Sequence, residues 1–160
     1  NETEFRVLIG KKLGISEATA ADEPLIRDYL NLMVKNSADL TLAFRLLSQS
    51  VADIHQGAAS LFSDKAAWLQ WAARWHARLS EQHLTTGDIQ SLMDSVNPAL
   101  IPRNHQIARV IELATNEGDL TLFHRLHNAL KTPFTVHDSN ADLALPPTAE
   151  QCISNTFCGT

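Results

Sequence analysis

The stretch Asn97-Pro98-Ala99-Leu100-Ile101-Pro102-Arg103-Asn104 decides how the chain is divided. Proline lacks an amide donor and its ring clashes with the preceding helical turn, so Pro98 and Pro102 cannot share one regular helix. The stretch therefore separates two helical runs. Its apolar centre, Ala99 to Ile101, carries polar residues at both ends and reads as a packed junction, not a loose linker. On this reading Asn97, Pro98, Arg103 and Asn104 form a structural junction, whose Asn and Arg side chains meet unsatisfied backbone groups of two helix ends and fix their angle.

Moving from the junction towards the N-terminus, Ile89, Leu92, Met93 and Val96 are spaced for burial along a short helix, Asp88–Val96. Before a polar turn (Glu81–Gly87) runs a strong helix, Lys65–Leu79, capped by Asp64. Trp68, Trp71 and Trp75 fall on one face of it. They are core or a docking stripe, and core carries more weight. Arg74 and Arg78, one turn apart, either pair with local carboxylates or hold an anion, with pairing favoured. Ser48–Ser63 is irregular. Asp39–Leu47 is a helix with Leu40, Ala43, Phe44 and Leu47 on one stripe. Asp22 caps another, with Pro24 in its first turn and a broad apolar face from Leu25 to Met33. Glu4–Leu13 places Phe5, Leu8, Ile9 and Leu13 on one stripe and stops at Gly14.

Beyond the junction, a helix from Asn104 to about Asn116 turns Ile107, Val110, Ile111 and Ala114 inward. Gly118-Asp119 stops it and starts the next, lined by Leu120, Phe123, Leu126, His127 and Leu130. Arg103–Lys131 is thus an αα-hairpin, ended by Thr132-Pro133. Periodicity is lost from Phe134 to Thr160. No run alternates with period two long enough for a strand. The expected fold is all-α: an irregular multi-helix bundle over residues 1–133, ending in the hairpin, then an extended, mobile tail over 134–160.

The 160 residues are 44% hydrophobic, enough for a real core, and carry a net charge of −5. That charge does not suit a nucleic-acid partner, and no stretch of about 18 apolar residues exists to span a membrane. The two cysteines, Cys152 and Cys158, make no disulfide framework and fit a reducing compartment. Asn1 opens the chain in place of Met, as in a piece of a longer protein.

Motifs for catalysis are missing from the sequence. It holds no glycine-rich phosphate loop, no His-Glu-x-x-His, no Gly-x-Ser-x-Gly and no CxxC. A kinase-like site needs a strand Lys, a paired Glu and metal-binding loop residues, and that context is absent. His124 and His127, one turn apart, could reach one metal, but zinc takes at least three protein ligands and no third stands at a recognisable spacing. His127 reads better as a hydrogen-bonded core residue. Cys158 is either a plain free thiol or one that exchanges disulfides with a partner in reach. No catalytic, cofactor-binding or metal-binding residue is assigned.

Several segments resemble the C-terminal part of the selenoprotein O family, called YdiU in bacteria. They are Lys12-Leu13-Gly14, Asp39 to Leu47 with Phe44-Arg45, Trp71-Ala72-Ala73-Arg74-Trp75 with Arg78-Leu79, Asn97-Pro98 with Arg103-Asn104, Gly118-Asp119 with His124-Arg125-Leu126, Asn128 to Phe134, and Pro146-Pro147. The resemblance implies a protein adenylyltransferase of kinase-like fold, sometimes called a pseudokinase, moving AMP from ATP, with magnesium, to Ser, Thr or Tyr hydroxyls of proteins. The residues holding nucleotide and metal precede this segment in the family, so none is carried over. The chain is then a helical C-terminal extension with no cofactor of its own. Its partners are the kinase-like N-terminal region and, for the whole enzyme, protein substrates, in a bacterial cytoplasm. In the family the tail cysteine, here Cys158 before Gly159-Thr160, is implicated in a redox link to the kinase-like region. This reading requires an exposed apolar face for that region to cover. The alternative is a freestanding helical protein-interaction module.

Overall fold

A computed structural model describes residues 2–151. Every regular element among them is helical: α1 (Glu2–Lys12), α2 (Glu23–Lys35), α3 (Leu40–Ser50), α4 (Lys65–Ser80), α5 (Thr86–Val96), α6 (Asn104–Asn116) and α7 (Thr121–Ala129), with short 3-10 turns between and after them. The fold is all-α, as expected. The chain forms two compact units that part between Pro98 and Ala99, within the two-proline stretch and not at the expected boundary after residue 133. Nor is the segment after 133 extended throughout: it winds into 3-10 turns at Asp138–Ala144 and Ala149–Gln151, and Leu143 is buried.

In the first unit α4 lies on α2, while α1 and α3 both pack on α5. The tryptophan stripe of α4 is the core of this unit. Trp68, Trp71 and Trp75 are buried and stack in series, with ring centroids 5.7 and 5.4 Å apart, and Tyr29 lies against Trp71 at 4.3 Å. A buried indole N–H needs a partner. Trp68 Nε1 donates to the Ile54 carbonyl at 2.8 Å, Trp71 Nε1 to Leu25 at 2.9 Å and Trp75 Nε1 to Leu13 at 2.7 Å. Three indoles thus fix three separate backbone segments to one helix.

The caps explain where the helices begin. Asp39 accepts from the Leu42 amide and Asp64 from the Ala67 amide. Thr85 and Asp88 close a reciprocal capping box, which starts α5 two residues before the expected Asp88. Asp22 departs from expectation. Its carboxylate accepts no cap bond from α2; it turns back to the Thr19 amide at 2.8 Å and out to Arg78. Phe5, Leu8 and Leu40, expected on inward stripes, are exposed, while Ile9, Leu13, Phe44 and Leu47 are buried.

In the second unit Leu100, Leu126, Ala129 and Leu143 form a small core. The amides of Ala99 and Leu100 both donate to the Pro133 carbonyl, at 2.8 and 2.9 Å, which ties the start of this unit to the end of the hairpin. Here inward and outward differ from the sequence reading: Ile107, Ile111, Leu120 and Phe123 are exposed, and the buried residue of α6 is Gln106. His127 is exposed as well and stacks on Phe123, so it is not a core histidine.

Candidate functional site

Asn97, 1% exposed, ends α5 in the first unit. The last carbonyls of a helix have no partner within it, and cations at that end are favoured. Lys12 and Arg45 supply both needs. Lys12 Nζ donates to the Val96 carbonyl at 3.1 Å and to Asn97 Oδ1 at 3.2 Å. Arg45 Nη1 donates to the carbonyls of Asp94 at 3.2 Å and Asn97 at 3.1 Å. Asn97 Nδ2 in turn donates to the Lys12 carbonyl at 2.9 Å, beside the end of α1. Lys12 also sits 5.4 Å from the centre of the Phe44 ring. Burial holds the Lys12 ammonium below its ordinary pKa. Residues from α1, α3 and α5 thus converge on one asparagine.

Arg78 on α4 grips Asp22 with Nε on Oδ1 at 2.6 Å and Nη2 on Oδ2 at 3.3 Å. Burial by itself would raise the Asp22 carboxyl; hydrogen bonds from Arg78 and Thr19 and the charge of Arg78 outweigh it and hold the group below the usual carboxylate range. Arg74 pairs with Asp28 at 2.6 Å. Both arginines pair with carboxylates, the reading the sequence favoured.

In the second unit Arg103 is buried at the entry to α6, its carbonyl accepting from the amides of Gln106 and Ile107. Asn104, the first residue of α6, is exposed. Burial, and then the positive charge of Arg103, keep the His105 imidazole below its ordinary pKa. Gln106 Nε2 donates to the Leu143 carbonyl at 3.1 Å, and Arg125 pairs with Asp142, which together hold the 3-10 segment onto the hairpin. His124 and His127 are one turn apart and exposed; among the described residues no three His, Cys, Asp or Glu side chains assemble around a point that could hold a metal ion. Cys152 and Cys158 lie outside the described residues.

Of the four junction residues, Asn97 and Pro98 belong to the first unit, and Arg103 and Asn104 to the second. The side chains that meet Asn97, Lys12 and Arg45, entered the sequence reading only as parts of family-like segments, with no role assigned. They lie 85 and 52 residues away in the chain. What could have flagged Arg45 is its position as the lone cation of α3; Lys12, beside Lys11, carried no such signal. Chemically, the cluster saturates backbone groups.

A family model described as Protein adenylyltransferase SelO matches residues 1–131. The chain belongs to the SelO family. It is 40% identical to a Protein nucleotidyltransferase YdiU of Bradyrhizobium diazoefficiens over 98% of its own length and 32% of that protein's. Matches to proteins of the same name from Roseobacter denitrificans and Agrobacterium fabrum run at 40% and 35% identity, over 95% and 94% of this chain and 30% and 31% of theirs. The chain therefore spans about a third of the length of these curated relatives. The SelO match covers the first unit and reaches residue 131 of the second, from α1 through α7. Among the described residues no helix is long and apolar enough to cross a membrane.

Proposed function

We propose that this chain is the helical C-terminal segment of a protein adenylyltransferase and that it braces a kinase-like region carrying the nucleotide site. The complete protein would transfer AMP from ATP, with Mg2+, to Ser, Thr or Tyr hydroxyls of proteins in the bacterial cytoplasm. The observation that carries this reading is the length of the match: nearly all of this chain aligns with a protein nucleotidyltransferase, yet with only about a third of it.

The use of its charges supports a bracing role. Phosphate binding draws on cations and free amides at helix N-termini. Here Lys12 and Arg45 are committed to the carbonyls that end α5, and Arg78 to Asp22. That use of the partly buried cations supports placing the ATP and Mg2+ site outside this chain.

The test is label transfer from α-labelled ATP, with Mg2+, to a bacterial lysate. The complete protein should label protein bands and the 160-residue chain should label none. Labelling by the 160-residue chain, or none by the complete protein, would overturn the proposal.

A further inference from the structure

We propose that the groove between α1 and α2 seats an amphipathic helix from the part of the polypeptide outside this chain, with its apolar face on Phe5, Ile26 and Leu30 and a carboxylate facing Arg27. This rests on the reading of the chain as one segment of a longer SelO-family protein.

The argument begins with α1. A helix on a protein surface normally carries one apolar stripe, and a helix apolar on more than one side is normally covered on each. On α1, Ile9 is buried inward, as is Leu13 just after it, while Phe5 and Leu8, three residues apart, are 53% and 54% exposed. Phe5 rises beside α2, where Ile26 is buried and Leu30 half-buried, four residues apart. Val34, one turn further along α2, is 80% exposed. Phe5, Ile26 and Leu30 line a groove of about 550 Å³. Phe5 on one helix, facing Ile26 and Leu30 at i, i+4 spacing on the other, makes the kind of trough into which an amphipathic helix lays its anchors.

The rim sets the chemistry of the occupant. Arg6 is already bound to Glu23 at 2.5 Å. Arg27, exposed on the same rim, has no ion-pair or hydrogen-bond partner among the described residues. An acidic residue beside the apolar face of the incoming helix would complete that charge. The source of the helix follows from length: the relatives carry about two thirds of their sequence outside the match.

The experiment uses the complete protein with Cys152 and Cys158 replaced by Ser and Phe5→Cys introduced. Maleimide labelling is followed by mass spectrometry on the peptide carrying position 5, in buffer and in urea. A half-exposed thiol would label only a few-fold slower when folded. The covered groove predicts labelling at least a hundredfold slower than in urea, unchanged by tenfold dilution, and at least fivefold faster once Arg27→Glu is added. Slowing of less than tenfold, or slowing that vanishes on dilution (a second copy in the groove), overturns the proposal. Leu30→Cys serves as the second site should Phe5→Cys fail to fold. AMP transfer is measured on the same samples. Transfer with an open groove sinks the groove inference alone; protection without transfer sinks the adenylyltransferase reading.

Discussion

Asn97 and Lys12 exchange hydrogen bonds in both directions: Asn97 Nδ2 donates to the Lys12 carbonyl at 2.9 Å, and Lys12 Nζ donates to Asn97 Oδ1 at 3.2 Å. The pair joins the end of α1 to the end of α5 across 85 residues of sequence. Asn97→Ala removes one donor and one acceptor at once and leaves both Lys12 groups without them. An unsatisfied buried polar group costs about 1–3 kcal/mol, so the variant should lose about 2–4 kcal/mol in urea unfolding. Asn97→Asp keeps the acceptor for Lys12 but loses the donor, and should lose less. Equal stability of Asn97→Ala and the parent would show that the pair does not hold these helices.

Asp22 gives the fold an acid limit. Its carboxyl lies below the usual range when folded, so unfolding takes up a proton. The stability it contributes is complete above the unfolded carboxylate pKa of about 4 and is lost as pH falls through the lower folded value. Asp22→Asn should flatten the acid limb of a plot of stability against pH and cost about 2–4 kcal/mol at pH 7, because it takes from Arg78 its near charge partner and leaves only Glu81 at 3.9 Å. An acid limb as steep as the parent's would move the effect to another carboxylate.

Tyr29, the one tyrosine in the chain, is fully buried and donates its hydroxyl to the Ala43 carbonyl at 2.7 Å. Burial pushes its phenol well above the ordinary value. Stability tied to the neutral phenol is complete below the unfolded pKa of about 10 and falls as pH rises beyond it. Tyrosinate absorbance should therefore appear only together with loss of helical circular dichroism. A smooth titration near pH 10 with helicity intact would place Tyr29 in water.

Glycine substitutions separate strain from crowding. Gly57 and Gly118 both have positive φ, at 60° and 67°. A Cβ on Gly57 would lie 2.3 Å from the Leu46 carbonyl oxygen, whereas one on Gly118 meets nothing within 4 Å. Gly118→Ala should cost about 1–2 kcal/mol, the left-handed penalty alone. Gly57→Ala should cost more than that, measured by the shift in melting temperature. Equal shifts would mean the backbone beside Leu46 yields freely.

What the sequence disclosed depended on the distance between partners. The Trp68, Trp71 and Trp75 stripe was legible because helical spacing puts all three on one face. The cap Asp64 was legible because its amide partner is three residues away, while Asp39, read as the first residue of its helix, is the cap before it. Asp22 misled because a carboxylate before a helix looks like a cap, and the arginine that claims it lies 56 residues on. Ile107, Ile111, Leu120 and Phe123 misled for a different reason. Periodicity marks an apolar face, and it does not say whether the chain itself covers that face. The two-proline stretch was read correctly as a break between helical runs, while the division of the chain at that break, and the cations that meet Asn97, needed coordinates.

The central claim is that the chain braces a nucleotide site without containing one. Equilibrium titration of ATP with Mg2+ into the 160-residue chain tests it most directly. The account predicts no saturable binding up to millimolar ATP, alongside saturable binding by the complete protein, in which Arg103→Ala lowers the melting temperature more than the ATP affinity. Saturable micromolar binding by the 160-residue chain, or an Arg103→Ala protein that melts normally and no longer binds ATP, would contradict it.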